Sequence, residues 1–164
     1  MTSWQRFAEE APELAGAVWA RFQAAKHHVL ATVRRDGSPR VSGTEVDFYG
    51  PDLTIGSLWG ALKARDLQRD GRFALHANPG DGSMQGGDAK LGGVAVEVVE
   101  AAHRQYAADR QPPEPFHLFR LDLDEAVLTS LNAEGDGMRI EIWRPGQGVR
   151  RLERRTEYPP RVLA

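Results

Sequence analysis

The chain has 164 residues, a formal net charge of −2, 41% hydrophobic and 27% charged residues, and no cysteine. That length suits one domain with a real core, and the composition points to neither disorder nor membrane insertion. The lack of cysteine removes disulfides, thiol catalysis and zinc ribbons, the acidic balance argues against a generic nucleic-acid surface, and no apolar run nears the ~20 residues that span a bilayer.

The polar, acidic start from Met1 to Glu10 is unlike a secretion signal, so the cytoplasm is the expected location. Trp4, Phe7, Ala11, Leu14, Val18, Trp19 and Phe22 recur at helical spacing and predict one buried helix face, interrupted at Pro12. The pattern then changes. His28 to Arg34 alternates, Asp36-Gly37 marks a hairpin, and Ser38 to Phe48 is the returning strand. Gly50-Pro51-Asp52 makes a second turn before a third strand, Leu53 to Ser57. Gly60 to Asp70 reads as a short helix and Arg72 to Ala77 as a strand, and Asn78 to Gly87 is a loop. Lys90 to Glu100 is a long strand whose Gly92-Gly93 pair suggests a bulge. A short helix follows over His103 to Asp109, and Phe116 to Leu131 and Met138 to Trp143 are the last strands. From Arg144 the chain is basic and Pro-rich. Tight turns between consecutive strands argue for an antiparallel barrel with helices at its ends rather than a doubly wound parallel sheet. Residues 1–164 form a single domain in this reading, with a helical segment (1–26), a barrel (27–146) and a basic tail (147–164).

Most chemical motifs are missing. There is no Walker loop or nucleophile elbow, and Gly146-Gln147-Gly148 is too short and misplaced for a dinucleotide fingerprint. His27, His28, His76, His103 and His117 show no metal-ligand spacing, so no metal site is assigned. Glu9-Glu10 and Asp122-Asp124 read as solvated charge. One constellation stands out. Gly56-Ser57 ends a strand, and the helix that follows carries Lys63, Arg65 and Arg69, with Arg40 able to reach the same mouth. Helix amino-terminal N–H groups with a Lys and an Arg form a reasonable phosphate seat. The same residues equally fit a solvated helix pairing its cations with Asp66 and Asp70, and spacing alone does not separate the two.

A resemblance bears on that choice. The run from His28 to Arg40 (HVLATVRRDGSPR) and the run from Lys63 to His76 (KARDLQRDGRFALH) resemble the pyridoxamine 5′-phosphate oxidase-like, flavin-binding split-barrel superfamily. Phe116 to Leu123, with Trp143-Arg-Pro-Gly146 further on, resembles an actinobacterial branch of it. The resemblance implies a mainly β fold with flanking helices, an antiparallel split β-barrel working as a homodimer, with cofactor sites at the subunit interface. It places Lys63 and Arg65 on the cofactor phosphate, Ser57 as a hydroxyl donor, and the backbone of Arg40, Val41 and Ser42 along the ring. Lys90 and Trp143 would approach from elsewhere in the barrel or from the second subunit. Where relatives commonly carry Ser and a basic residue before the Lys, this chain has Ala61 and Leu62. The two missing hydrogen bonds are together worth roughly 2–4 kcal/mol, which favours the deazaflavin coenzyme (factor 420) over flavin mononucleotide (FMN). The implied function is a flavin- or deazaflavin-dependent oxidoreductase transferring hydride to or from a small organic substrate, with no catalytic side chain assigned and no nucleic-acid or membrane partner. A flavin- or haem-sequestering protein is the alternative.

Overall fold

The computed structural model describes residues 2–155 and 159–164. The helical opening divides at Pro12. Helix α1 (Trp4–Glu10) is capped by Ser3, whose hydroxyl accepts the Arg6 N–H at 3.2 Å. Helix α2 (Pro12–Gln23) has Pro12 at its start, where the first turn needs no N–H. Phe7, Leu14, Ala15, Val18 and Phe22 are buried, whereas Trp19, expected on the same stripe, is about half exposed. It lies one residue past Val18, which turns its side chain about 100° away from that line.

The remaining elements are β1 (His28–Val33), β2 (Pro39–Thr44), β3 (Asp47–Tyr49), β4 (Asp52–Leu58), α3 (Leu62–Arg69), β5 (Arg72–His76), β6 (Asp88–Glu97), α4 (Glu100–Arg110), β7 (Phe116–Leu131), β8 (Gly137–Arg144), β9 (Gly148–Arg155) and β10 (Arg161–Val162). The β1–β2 turn is set by Gly37 at φ +85° and by Asp36, whose carboxylate accepts the Ser38 N–H at 3.0 Å. The strand expected over Ser38 to Phe48 is two strands, divided at Glu45 and Val46. The stretch read as a basic tail also forms strands. Gly146 and Gly148, both at positive φ, turn β8 into β9, and β10 pairs with β9.

All pairings are antiparallel, in the order β10-β9-β8-β7-β6-β5-β1-β2. Strand β7 folds the sheet back on itself. Its residues 116–120 pair with β4 and its residues 126–131 with β8, while β6 runs along its other edge. Strands β2 and β4 are not hydrogen-bonded to each other, so the barrel is open along one seam. The long β6 bends at the expected Gly92/Gly93 bulge, where a Cβ on Gly93 would fall 2.0 Å from the Asp122 carbonyl oxygen. Leu30, Ile55, Leu75, Phe119, Leu121 and Trp143 fill the interior, each worth about 1.5–3 kcal/mol of burial. Trp143 packs on Phe7 with ring centroids 4.5 Å apart, which ties the helical segment to the barrel.

One carboxylate expected in solvent is not there: Asp122 is buried with Arg120 at 3.2 Å. Glu10 stays exposed, as expected, and accepts the Trp143 Nε1–H at 3.1 Å and the Gly146 N–H at 2.9 Å. Among the described residues no helix is long and apolar enough to cross a membrane.

Candidate functional site

The open seam is where the chain places its most informative cation. Helix α3 buries Ala64, Asp66 and Leu67, which turns Lys63 toward the seam. The Lys63 ammonium donates to the Gly43 carbonyl of β2 at 2.8 Å. Burial pushes its pKa below the ordinary lysine value, with Glu45 acting in the opposite sense. Among the described residues Lys63 has no ion-pair partner, so a half-buried positive charge rests on one neutral carbonyl oxygen. Of the pairing alternative left open by the sequence, Arg69 does meet Asp66, whereas Lys63 pairs with neither Asp66 nor Asp70 among the described residues.

Asp66 is committed elsewhere. Its carboxylate accepts from Arg40 Nε at 2.7 Å, Thr32 Oγ1 at 2.9 Å and Arg69 Nη2 at 3.1 Å. Burial alone would raise its pKa, but those three donors hold it below the ordinary carboxylate value. The Arg40 Nε is thereby used to neutralise a buried acid and fasten α3 to β2. Arg69 also donates to the Val33 carbonyl, so it too is structural.

Two cavities meet at Lys63. The larger, about 510 Å³, lies between the β2–β3 segment, the end of β4 and the chain around α4, and is walled by Thr44, Glu45, Ser57, Leu58, Tyr106 and Phe116. The smaller, about 400 Å³, is lined by Arg34, Arg40, Val41, Ser42, Leu62 and Lys63. The structure therefore brings together Arg40, Val41, Ser42, Ser57 and Lys63 of the residues singled out in the sequence. Arg65 is exposed on α3, its guanidinium near Gly60. Lys90 and Trp143 stand apart from both cavities: Lys90 is exposed on β6 opposite His76 and Val127, and Trp143 is fully buried in the core.

The sequence reading missed Arg34, Glu45, Tyr106 and His117. Arg34 precedes the Asp36-Gly37 turn, a position that projects beside the start of β2, so the hairpin itself was the available signal. Tyr106 had no such signal. It reaches the cavity because α4 packs over the barrel, with its hydroxyl in contact with Asp47 and Thr54 and its pKa pushed up to about 12 by burial and the Asp47 charge. His117 donates from Nδ1 to Glu97 at 2.7 Å and accepts the Gly60 N–H on Nε2 at 3.1 Å. No group of three or more metal-ligating side chains occurs among the described residues.

No protein-family model and no curated protein matches the sequence. Solved structures do match the fold. A pyridoxamine 5′-phosphate oxidase-related, FMN-binding protein from Nostoc punctiforme aligns with a TM-score of 0.60 at 13% identity, covering 93% of this chain and 95% of that one. PhzG from Burkholderia lata, solved with tetrahydrophenazine-1-carboxylic acid, aligns with a TM-score of 0.60 at 17% identity over 89% of this chain and 93% of that one. HutZ, a haem storage protein from Vibrio cholerae, aligns with a TM-score of 0.57 at 18% identity over 74% of this chain and 98% of that one. The chain thus has the split-barrel fold of pyridoxamine 5′-phosphate oxidase-related proteins.

Proposed function

We propose that the seam binds a flavin-type cofactor, with its ring system in the larger cavity and its phosphate on Lys63, in a cytoplasmic homodimer that oxidises or reduces a small organic molecule. The observation that carries this reading is the Lys63 ammonium, half-buried between two cavities, with the Gly43 carbonyl as its one hydrogen-bond partner among the described residues. An unpaired cation drawn out of water is stabilised by an anionic ligand more than by a neutral one. A pocket of a few hundred Å³ with apolar walls and few polar groups suits a planar ring. The bound cofactor would supply the hydride-transfer chemistry. Thr44 and Gly43 would line one edge of the ring, Phe116 and Leu58 would exclude water, and Ser57 would offer a hydroxyl.

Of the two candidates, the deazaflavin coenzyme fits better than FMN. Ala61 and Leu62 bring neither a hydroxyl nor a second cation to the turn before Lys63, so a compact terminal phosphate finds few donors there. The smaller cavity continues past Lys63 to Arg34, which suits a longer anionic tail. The test is a side-by-side titration with FMN, the deazaflavin and riboflavin at fixed ionic strength. Lys63→Ala is expected to weaken either phosphorylated ligand by about 1.5–3 kcal/mol with the fold intact. Tighter binding of FMN than of the deazaflavin would reverse the preference, and equal affinity of parent and variant would remove Lys63 from the site. Storage without turnover is the second reading, supported by the likeness to HutZ. A bound-cofactor spectrum with no reductive activity would favour it.

A further inference from the structure

We infer that His117 is a positioning residue, which holds the wall of the cofactor cleft and the start of α3 in place through its hydrogen bond to Gly60. The inference rests on the reading of the seam as a ligand site. From the last residue of β4, Leu58, the chain runs through Trp59, Gly60 and Ala61 into α3. Leu58 and Ala61 line the larger cavity, and Lys63 follows two residues later. Helix α3 has no side-chain cap, since its N-cap residue is Ala61. The entry to the helix therefore lacks the usual local means of fixing its first turn. His117 supplies a substitute from the neighbouring strand β7.

The ring of His117 is buried, and both of its nitrogens are engaged. Nε2 accepts the Gly60 N–H at 3.1 Å, so that nitrogen carries no proton. Nδ1 is then the donor, and it faces Glu97 Oε1 of β6 at 2.7 Å. Glu97 is held in turn by Gln68 Nε2 of α3, at 3.0 and 2.9 Å from its two oxygens. The carboxylate fixes which tautomer the ring adopts, and the tautomer fixes the loop. Trp59 lies flat on the same ring, 4.4 Å between centroids and 5° from parallel, with its other face open to solvent. Gly60 itself is at φ +73°, a conformation that other residues adopt only with strain. The turn closes on itself through the Ala61 N–H to the Leu58 carbonyl at 3.1 Å, and the Gly60 amide is what ties it across to strand β7.

Two substitutions separate that restraint from simple packing. His117→Phe keeps an aromatic ring under Trp59 but offers no acceptor to Gly60. His117→Gln loses the stack but places an amide oxygen at about the reach of Nε2. For FMN and the deazaflavin, His117→Phe is expected to weaken binding about tenfold or more, while His117→Gln stays within about threefold of the parent. Amide hydrogen exchange in the unliganded protein provides the second readout. Gly60 to Lys63 should exchange faster in His117→Phe and at parental rates in His117→Gln. If the two variants are alike in both readouts, or His117→Phe keeps parental affinity and protection, the positioning role is wrong. If the parent binds no flavin, the functional reading fails, and the exchange comparison still decides the role of His117.

Discussion

At Lys63 the cost of burying a charge is set against its use. An ammonium whose pKa is lowered by burial loses its proton at a lower pH than a lysine in water. Affinity for a phosphorylated cofactor should accordingly be level at neutral pH and fall as pH rises, before the ordinary lysine range near 10.4 is reached. Riboflavin, with no phosphate, should show no such fall, and a titration of both ligands from about pH 7 to pH 10 checks this. Asp66 presents the opposite case, a buried acid with three donors. Asp66→Asn leaves the Arg40 charge without its partner and should destabilise the fold by about 3–5 kcal/mol, measured by urea unfolding. A loss below ~1 kcal/mol would mean that Arg40 escapes to solvent in the variant.

At the scale of elements, the junction of α2 and β1 is fastened by His28. It is buried against the Phe22 ring at 4.9 Å and accepts the Asn78 N–H at 3.0 Å. Desolvation lowers its pKa below the ordinary imidazole value. The unfolded chain therefore takes up the proton first. The stabilising contribution is complete above about pH 6.5 and is lost as pH falls through the lower folded value. Denaturant midpoints should drop between about pH 7 and pH 5, and His28→Gln, which keeps an acceptor without a titrating ring, should flatten that drop. Parallel curves for parent and variant would place the acid sensitivity elsewhere. Most elements were legible because their signals are local: Pro12 divides the helices, Asp36-Gly37 turns the first hairpin, and Gly92-Gly93 bulges β6. Strands β9 and β10 were not legible. The Arg-rich run Gly148–Arg155 has few apolar residues to alternate, and its pairing depends on β8. Within the site, the place of Lys63 after a strand singled it out without deciding its role, and its contact with the Gly43 carbonyl, 20 positions away, was not legible. Nor was the commitment of Arg40 to Asp66, because those residues are 26 positions apart and meet only through the fold.

At the scale of the whole molecule, part of the exposed apolar surface gathers beside the seam. Leu58, Trp59 and Leu62 are 77%, 65% and 57% exposed around the start of α3, and Val41 is 70% exposed on β2, beside the smaller cavity. On the sheet face that carries Val41, its neighbours across β1 and β5 are Ala31 and Ala74, with Val29 one pair further along. Side chains this small let another sheet approach closely, and a like face on a second copy of the chain is the simplest cover, because closed twofold pairs are the commonest assemblies. A partner seated there would also close the seam from outside, so assembly and cofactor binding should be coupled. The parent protein is expected to scatter light as a dimer at micromolar concentration. Leu62→Asp is expected to give a monomer with unchanged far-ultraviolet circular dichroism and weaker cofactor affinity. A parent that is already monomeric rules out the dimer, and a monomeric variant that binds cofactor as tightly as the parent shows that the seam is complete within one chain.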